Sequence, residues 1–305
     1  SMNKKLFCTL CLLAALAHYP FKTAWAEAYG SGWYGETQLS VGHEDNISRS
    51  YKQEDLVSDN ISSFSIGAGH SRKIGYGSQL ILSGYLSVNY HDEYRDLDSL
   101  ATSLQLQFIR QPNIGFSAMW YDISLSATRM DYRNSDPREG YLFEGDLSLN
   151  KRLSSRTTGH VGYRYADLVF LDKSNKEEAE AAAFDTATNE LYLGADYELA
   201  SRIFLYAQYG YRLGGFTSSV SGIPDGSIVY EAESADPAFE SCINARCSHR
   251  YAYRSDGDIQ SVDLGIAFPL WGVNFDLSGR YYDAEGSGDT TYRDWFVQLG
   301  AIWNF

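Results

Sequence analysis

Beyond residue 26 the chain holds no run of 18 mainly apolar residues, which excludes a transmembrane helix from that part of the protein. Methionine and proline are scarce, 3 and 6 in 305 residues. Basic side chains are also short, 25 Lys and Arg against 39 Asp and Glu. Nucleic-acid binding rests on neutralising phosphates with Lys and Arg, so a chain this acidic excludes it. Six histidines and four cysteines leave few candidates for metal or nucleophilic chemistry, and no cofactor motif is present.

Aromatic residues are abundant instead. There are 24 Tyr, 15 Phe and 6 Trp, accompanied by 27 Gly. Many aromatics without long apolar runs fit strands whose two faces meet different solvents.

The N-terminus reads as an export signal. Lys4 and Lys5 precede the apolar run Leu6 to Ala17, and Ala24-Trp25-Ala26 supplies a small-x-small cleavage site. A run this short does not span a bilayer as a helix, which needs about 20 residues. The expected organisation is a signal peptide over 1–26 and one domain over 27–305. Cleavage would remove Lys4, Lys5 and Lys22 but no acid, leaving 22 basic residues against 39 acidic ones, a net charge of −17.

Cleavage would also remove Cys8 and Cys11. Cys242 and Cys247 are expected to pair in an oxidising compartment. So small a ring contributes about 2 kcal/mol, enough to shape a loop but not to hold a fold. Cys242-x4-Cys247 with one nearby His249 falls short of a metal site.

The last segment alternates cleanly. Val297, Leu299, Ala301, Trp303 and Phe305 fall on one face, with Phe296, Gln298, Gly300, Ile302 and Asn304 on the other. Gln298, Gly300, Trp303 and Phe305, at this spacing and at the end of the chain, resemble the C-terminal β-signal of Gram-negative outer-membrane β-barrel proteins, a porin-like group. The resemblance implies insertion by the barrel-assembly machinery. It also implies outer-membrane lipid and lipopolysaccharide as surroundings.

Alternating runs recur near 33–44, 59–72, 79–91, 100–110, 115–130, 141–153, 157–169, 188–200, 203–215, 258–270, 273–284 and 294–305. Short turn-like connections alternate with long polar ones, as in membrane barrels. The expected fold is therefore an all-β, transmembrane, antiparallel up-and-down barrel of about twelve strands. Merging or splitting runs would give ten or fourteen. The longest outer loop is expected over about 217–258, and 177–183 (EEAEAAA) favours a helical turn or a disordered acidic loop.

With the apolar face outward, the inner face is charged. Glu144, Asp146, Asp196, Glu198 and Asp263 fall on even strands, Arg164, Arg212 and Arg280 on odd ones. Opposite charges can then pair between neighbours, either filling the lumen or lining a wetted passage. Two rim clusters, His43-Glu44-Asp45 and His91-Asp92-Glu93, could hold a divalent cation or form an acid/base pair, but a solvated acidic rim explains them as well. Barrels also host hydrolases, yet no catalytic constellation stands out. The sequence reading is a monomeric barrel, not an enzyme, forming a narrow channel for small polar solutes or ions. The alternative is a non-conducting structural or surface-interaction barrel, and a rim-site hydrolase comes last.

Overall fold

The computed structural model describes residues 31–113, 115–170, 183–222, 232–239, 241–243, 246–286 and 290–305. The cleavage region and most of 177–183 lie outside them. The strands are β1 (Gly32–Glu44), β2 (Asp59–Gly75), β3 (Ser78–His91), β4 (Ser99–Arg110), β5 (Met119–Tyr132), β6 (Gly140–Arg152) and β7 (Thr157–Phe170). They continue with β8 (Thr186–Ala200), β9 (Ile203–Ser221), β10 (Ala232–Ala235), β11 (Ser241–Ile243), β12 (Arg246–Ser248), β13 (Arg250–Leu270), β14 (Val273–Gly286) and β15 (Thr290–Asn304).

Twelve of these, β1–β9 and β13–β15, form a closed antiparallel barrel. Each pairs with its chain neighbour among the twelve. Closure comes from β1 on β15, where Val41 meets Leu299 and Glu36 meets Asn304. Closing the sheet removes every unpaired edge, and a lipid-facing backbone requires this. The strands expected from alternation are all present; their ends fall within four residues of expectation except in β9 and β13, which run six and eight residues longer.

Alternation decides which face is which. Leu104, Leu125, Leu193 and Leu264 are all more than half exposed on the outside. The residues before them in the chain, Ser103, Ser124, Tyr192 and Asp263, are buried inside. At the short-turn end the exposed band is ringed by Trp33, Tyr76, Phe116, Trp271 and Phe305. Towards the other end stand Tyr90, Phe143, Tyr165 and Trp295. An apolar belt between two aromatic girdles is the surface a barrel presents to lipid.

The forty-residue loop expected over 217–258 is shorter. β9 and β13 remain paired to Ser221 and Arg250, well beyond the other strands. The sequence signal failed here because both faces of this extension are covered. Ser218, Ser219, Val220, Ala252 and Tyr253 are all nearly inaccessible, so no polar face alternates with an apolar one. The extension begins at Gly214, the last residue paired to β8, where φ is +136° and a β-carbon would strike the Ala187 carbonyl.

Candidate functional site

The inner wall is unequal around its circumference. Between the rims, β2, β3 and β4 turn no charged side chain inward. Ser63, Ser65, Ser71, Ser83 and Ser103 line them instead, and the hydroxyls of Ser65 and Ser87 bond at 3.0 Å. The sequence-derived charges lie on the other side. Asp146, Arg164, Glu190 and Arg212 occupy one continuous row, in register across β6, β7, β8 and β9. Arg164 reaches Asp146 at 3.0 Å and Glu190 at 3.2 Å, while Arg212 stands 3.7 Å from Glu190. Arg280 on β14 donates to Asp263 on β13, its register partner. These opposite charges pair along the wall, between adjacent strands.

Glu190 is central to this row, although it is not among the inner acids that the alternation singled out. Acid–arginine alternation indicated which strands carry charge but not their relative heights. Asp196 lies lower, 3.9 Å from His160, and Glu198 lies near the short-turn end. Glu144 accepts from the Ser126 hydroxyl at 3.3 Å.

Large inner side chains lie flat against the wall, each over a neighbouring glycine. Tyr34 covers Gly69, Tyr85 covers Gly67, Tyr192 covers Gly162 and Tyr206 covers Gly265. A β-carbon at any of these glycines would collide with the ring. Two of the phenols are then tied to carboxylates, Tyr192 to Asp146 at 3.0 Å and Tyr206 to Asp276 at 2.9 Å. Glycine's lack of a side chain is thereby used to hold the rings away from the barrel axis.

The outer mouth is covered. The 45–58 connection folds over to the extended β9–β13 hairpin, where the Ser219 amide donates to the Ser48 carbonyl and the Ser221 amide to Asp55. Arg250 donates to the Asp55 carbonyl at 3.0 Å. From the hairpin's far side, Ala238 and Phe239 pack on Leu97, with Ile47, Val57 and Tyr94 around them. Arg138 joins Asp236 at 2.6 Å beneath this cluster. Burial in it raises the Tyr94 phenol above its ordinary range.

The two rim clusters do not converge. His43 is on the outer face with Val41, whereas Glu44 is buried on the inner face. His43 bonds Asn60, which donates to Asp92. His91 is partly buried beside Asp98. Among the described residues no three His, Cys, Asp or Glu side chains are grouped to hold a metal. In β1 alternation separates His43 from Glu44, because consecutive residues of a strand point to opposite faces. Cys242 and Cys247 are cross-strand partners in the β11–β12 hairpin.

No family model matches the sequence, and no curated protein does. Solved structures are similar in fold. An outer membrane channel from Pseudomonas putida F1 is 9% identical, with 91% of this chain and 96% of that chain covered and a TM-score of 0.55. The NanC porin is 7% identical over 88% of this chain and 98% of that chain, with a TM-score of 0.44. The β domain of the Bordetella autotransporter BrkA is 12% identical over 90% and 99%, with a TM-score of 0.42. The first likeness shows the fold, an outer-membrane-type β-barrel.

Proposed function

We propose that the protein is an outer-membrane channel, a narrow passage for small polar solutes or ions with a preference for cations. One observation carries this reading: the row from Asp146 to Arg212 and the Arg280–Asp263 pair run along the wall, and Tyr34, Tyr85, Tyr192 and Tyr206 lie against it. A filled lumen needs side chains that meet across the axis, and twelve strands give an interior intermediate between solid eight-stranded barrels and wide porins. Between the rims, the inward acids Glu36, Asp122, Glu144, Asp146, Glu190, Asp196, Glu198, Asp263 and Asp276 outnumber Arg164, Arg212 and Arg280. The excess negative charge attracts cations and repels anions over a Debye length of about 10 Å at 0.1 M salt. The test is conductance of the refolded chain in planar bilayers, with reversal potentials under a salt gradient.

A second reading is favoured by the covered mouth. The loops that close it present acidic side chains, among them Glu54, Asp92, Glu93 and Asp96, to the outside. A non-conducting barrel that meets a partner through these loops would show no current steps. The Cys242–Cys247 pairing belongs with this outer structure. Cross-strand partners have Cα atoms about 4.5–5.5 Å apart, within the range a disulfide spans. Thiol titration of denatured, unreduced protein reads it directly.

A further inference from the structure

The barrel's two ends differ in charge. At the short-turn end the exposed basic residues are Arg72, Lys73, Arg110, Lys151, Arg152, Arg156 and Arg202. Among the described residues, that end has no Asp or Glu in its turns or on its outer face. The acids near it, Glu36, Asp122, Asp196, Glu198 and Asp276, are on inward-facing positions. At the opposite end arginines are held by carboxylates: Arg133 by Asp98, Arg250 by Asp55 and Arg293 by Asp283. No ion pair among the described residues engages Arg72, Arg110 or Lys151.

These three are also regularly placed. They lie near the ends of β2, β4 and β6, the strands running towards the short turns. Each continues the lipid-facing stripe of its own strand: Ile66, Ala68 and His70 lead to Arg72, Leu104 and Leu106 to Arg110, and Leu147 and Leu149 to Lys151. Alternate strands stand about 10 Å apart, so the cations form an arc at the level of the aromatic girdle. Long basic side chains at that level bury their stems in the apolar edge and extend their charges to the phosphates.

We infer that this arc binds anionic phospholipid headgroups of the leaflet at the short-turn end, anchoring and orienting the barrel there. The inference depends on membrane placement and not on conduction. A basic residue at a charged surface is worth about a fivefold preference, which falls with salt. The arc covers β2 to β6. On the far side, β13 and β15 are followed by Trp271 and Phe305 without a cation on the outer face, so the bound lipid is confined to one sector.

The refolded full chain in phosphatidylcholine vesicles with a minor share of brominated phosphatidylglycerol provides the test. Bromine quenches tryptophan, and Trp33 and Trp271 stand at this rim. Quenching by the brominated anionic lipid should exceed that by an equal share of brominated phosphatidylcholine. The excess should vanish at 1 M salt and in the variant Arg72→Gln, Arg110→Gln, Lys151→Gln. A second variant, Arg95→Gln, Arg133→Gln, Arg293→Gln, changes as many charges at the other end and should keep the excess. Heat-modifiable migration verifies folding of each. Equal quenching by the two lipids in the unmodified protein, or an excess that survives the first variant, overturns the inference.

Discussion

Glu190 accepts a hydrogen bond from Arg164 across the β7–β8 ladder at 3.2 Å, with its side chain almost wholly removed from solvent. The pair is the middle of a four-residue row in which each charge has a partner on the next strand. Glu190→Gln leaves two guanidinium groups facing a neutral amide. A buried charge-assisted bond of this kind is worth about 1.5–3 kcal/mol, and a loss of that size is expected in urea unfolding of the refolded barrel. Cation preference should weaken in the same variant.

The outward and inward faces predict opposite tolerances. Leu193→Arg places a charge in the lipid-facing band and should cost about 2–4 kcal/mol. Asp196→Asn on the neighbouring inward face should cost much less, because its contact to His160 is long at 3.9 Å. Equal losses at the two positions would mean the faces are assigned the wrong way round.

Gly162 gives the flat packing of Tyr192 its room. Gly162→Val drives the ring from the wall towards the axis and separates its hydroxyl from Asp146. A fall in single-channel conductance, with the barrel still heat-modifiable, is expected. Unchanged conductance would show that ring placement does not set the width of the passage.

Asp236 ties the cap, taking hydrogen bonds from Arg138 and from the Ser219 hydroxyl. Asp236→Ala should loosen the cover over the mouth and raise the fraction of time spent in the conducting state. The barrel itself, closed below this point, should lose little stability. Protease susceptibility of the loops should rise in parallel.

Deleting Phe305 tests the terminal pattern of Gln298, Gly300 and Trp303. Export across the inner membrane should continue while membrane insertion stops. Normal amounts of embedded, heat-modifiable protein would contradict the β-signal resemblance.

The barrel was legible in the sequence because each strand faces lipid on one side and polar groups on the other, and period-two alternation records that contrast. Leu191, Leu193 and Leu199 against Glu190, Tyr192 and Asp196 are an example. Where both faces are covered, as at Ser218 to Val220 and Ala252 to Tyr253, alternation vanishes and a strand reads as a loop. The charged inner strands were also visible, but heights along them were not, so the row through Glu190 emerged only from the register. The cap could not be foreseen. It depends on contacts such as Phe239 with Leu97 that join segments far apart in sequence and leave no periodic trace. Each rim histidine adjoins acids in the chain, but adjacency is not convergence: the pleat sends His43 and Glu44 to opposite faces.

Ion selectivity of single channels in planar bilayers tests the central claim most directly. The account predicts discrete current steps with a cation preference, strengthened by Arg212→Ala and weakened by Asp196→Ala. Both shifts should shrink as salt rises from 0.1 M to 1 M, where screening shortens from about 10 Å to about 3 Å. Well-folded protein that gives no current steps, or steps whose selectivity neither substitution moves, would contradict it.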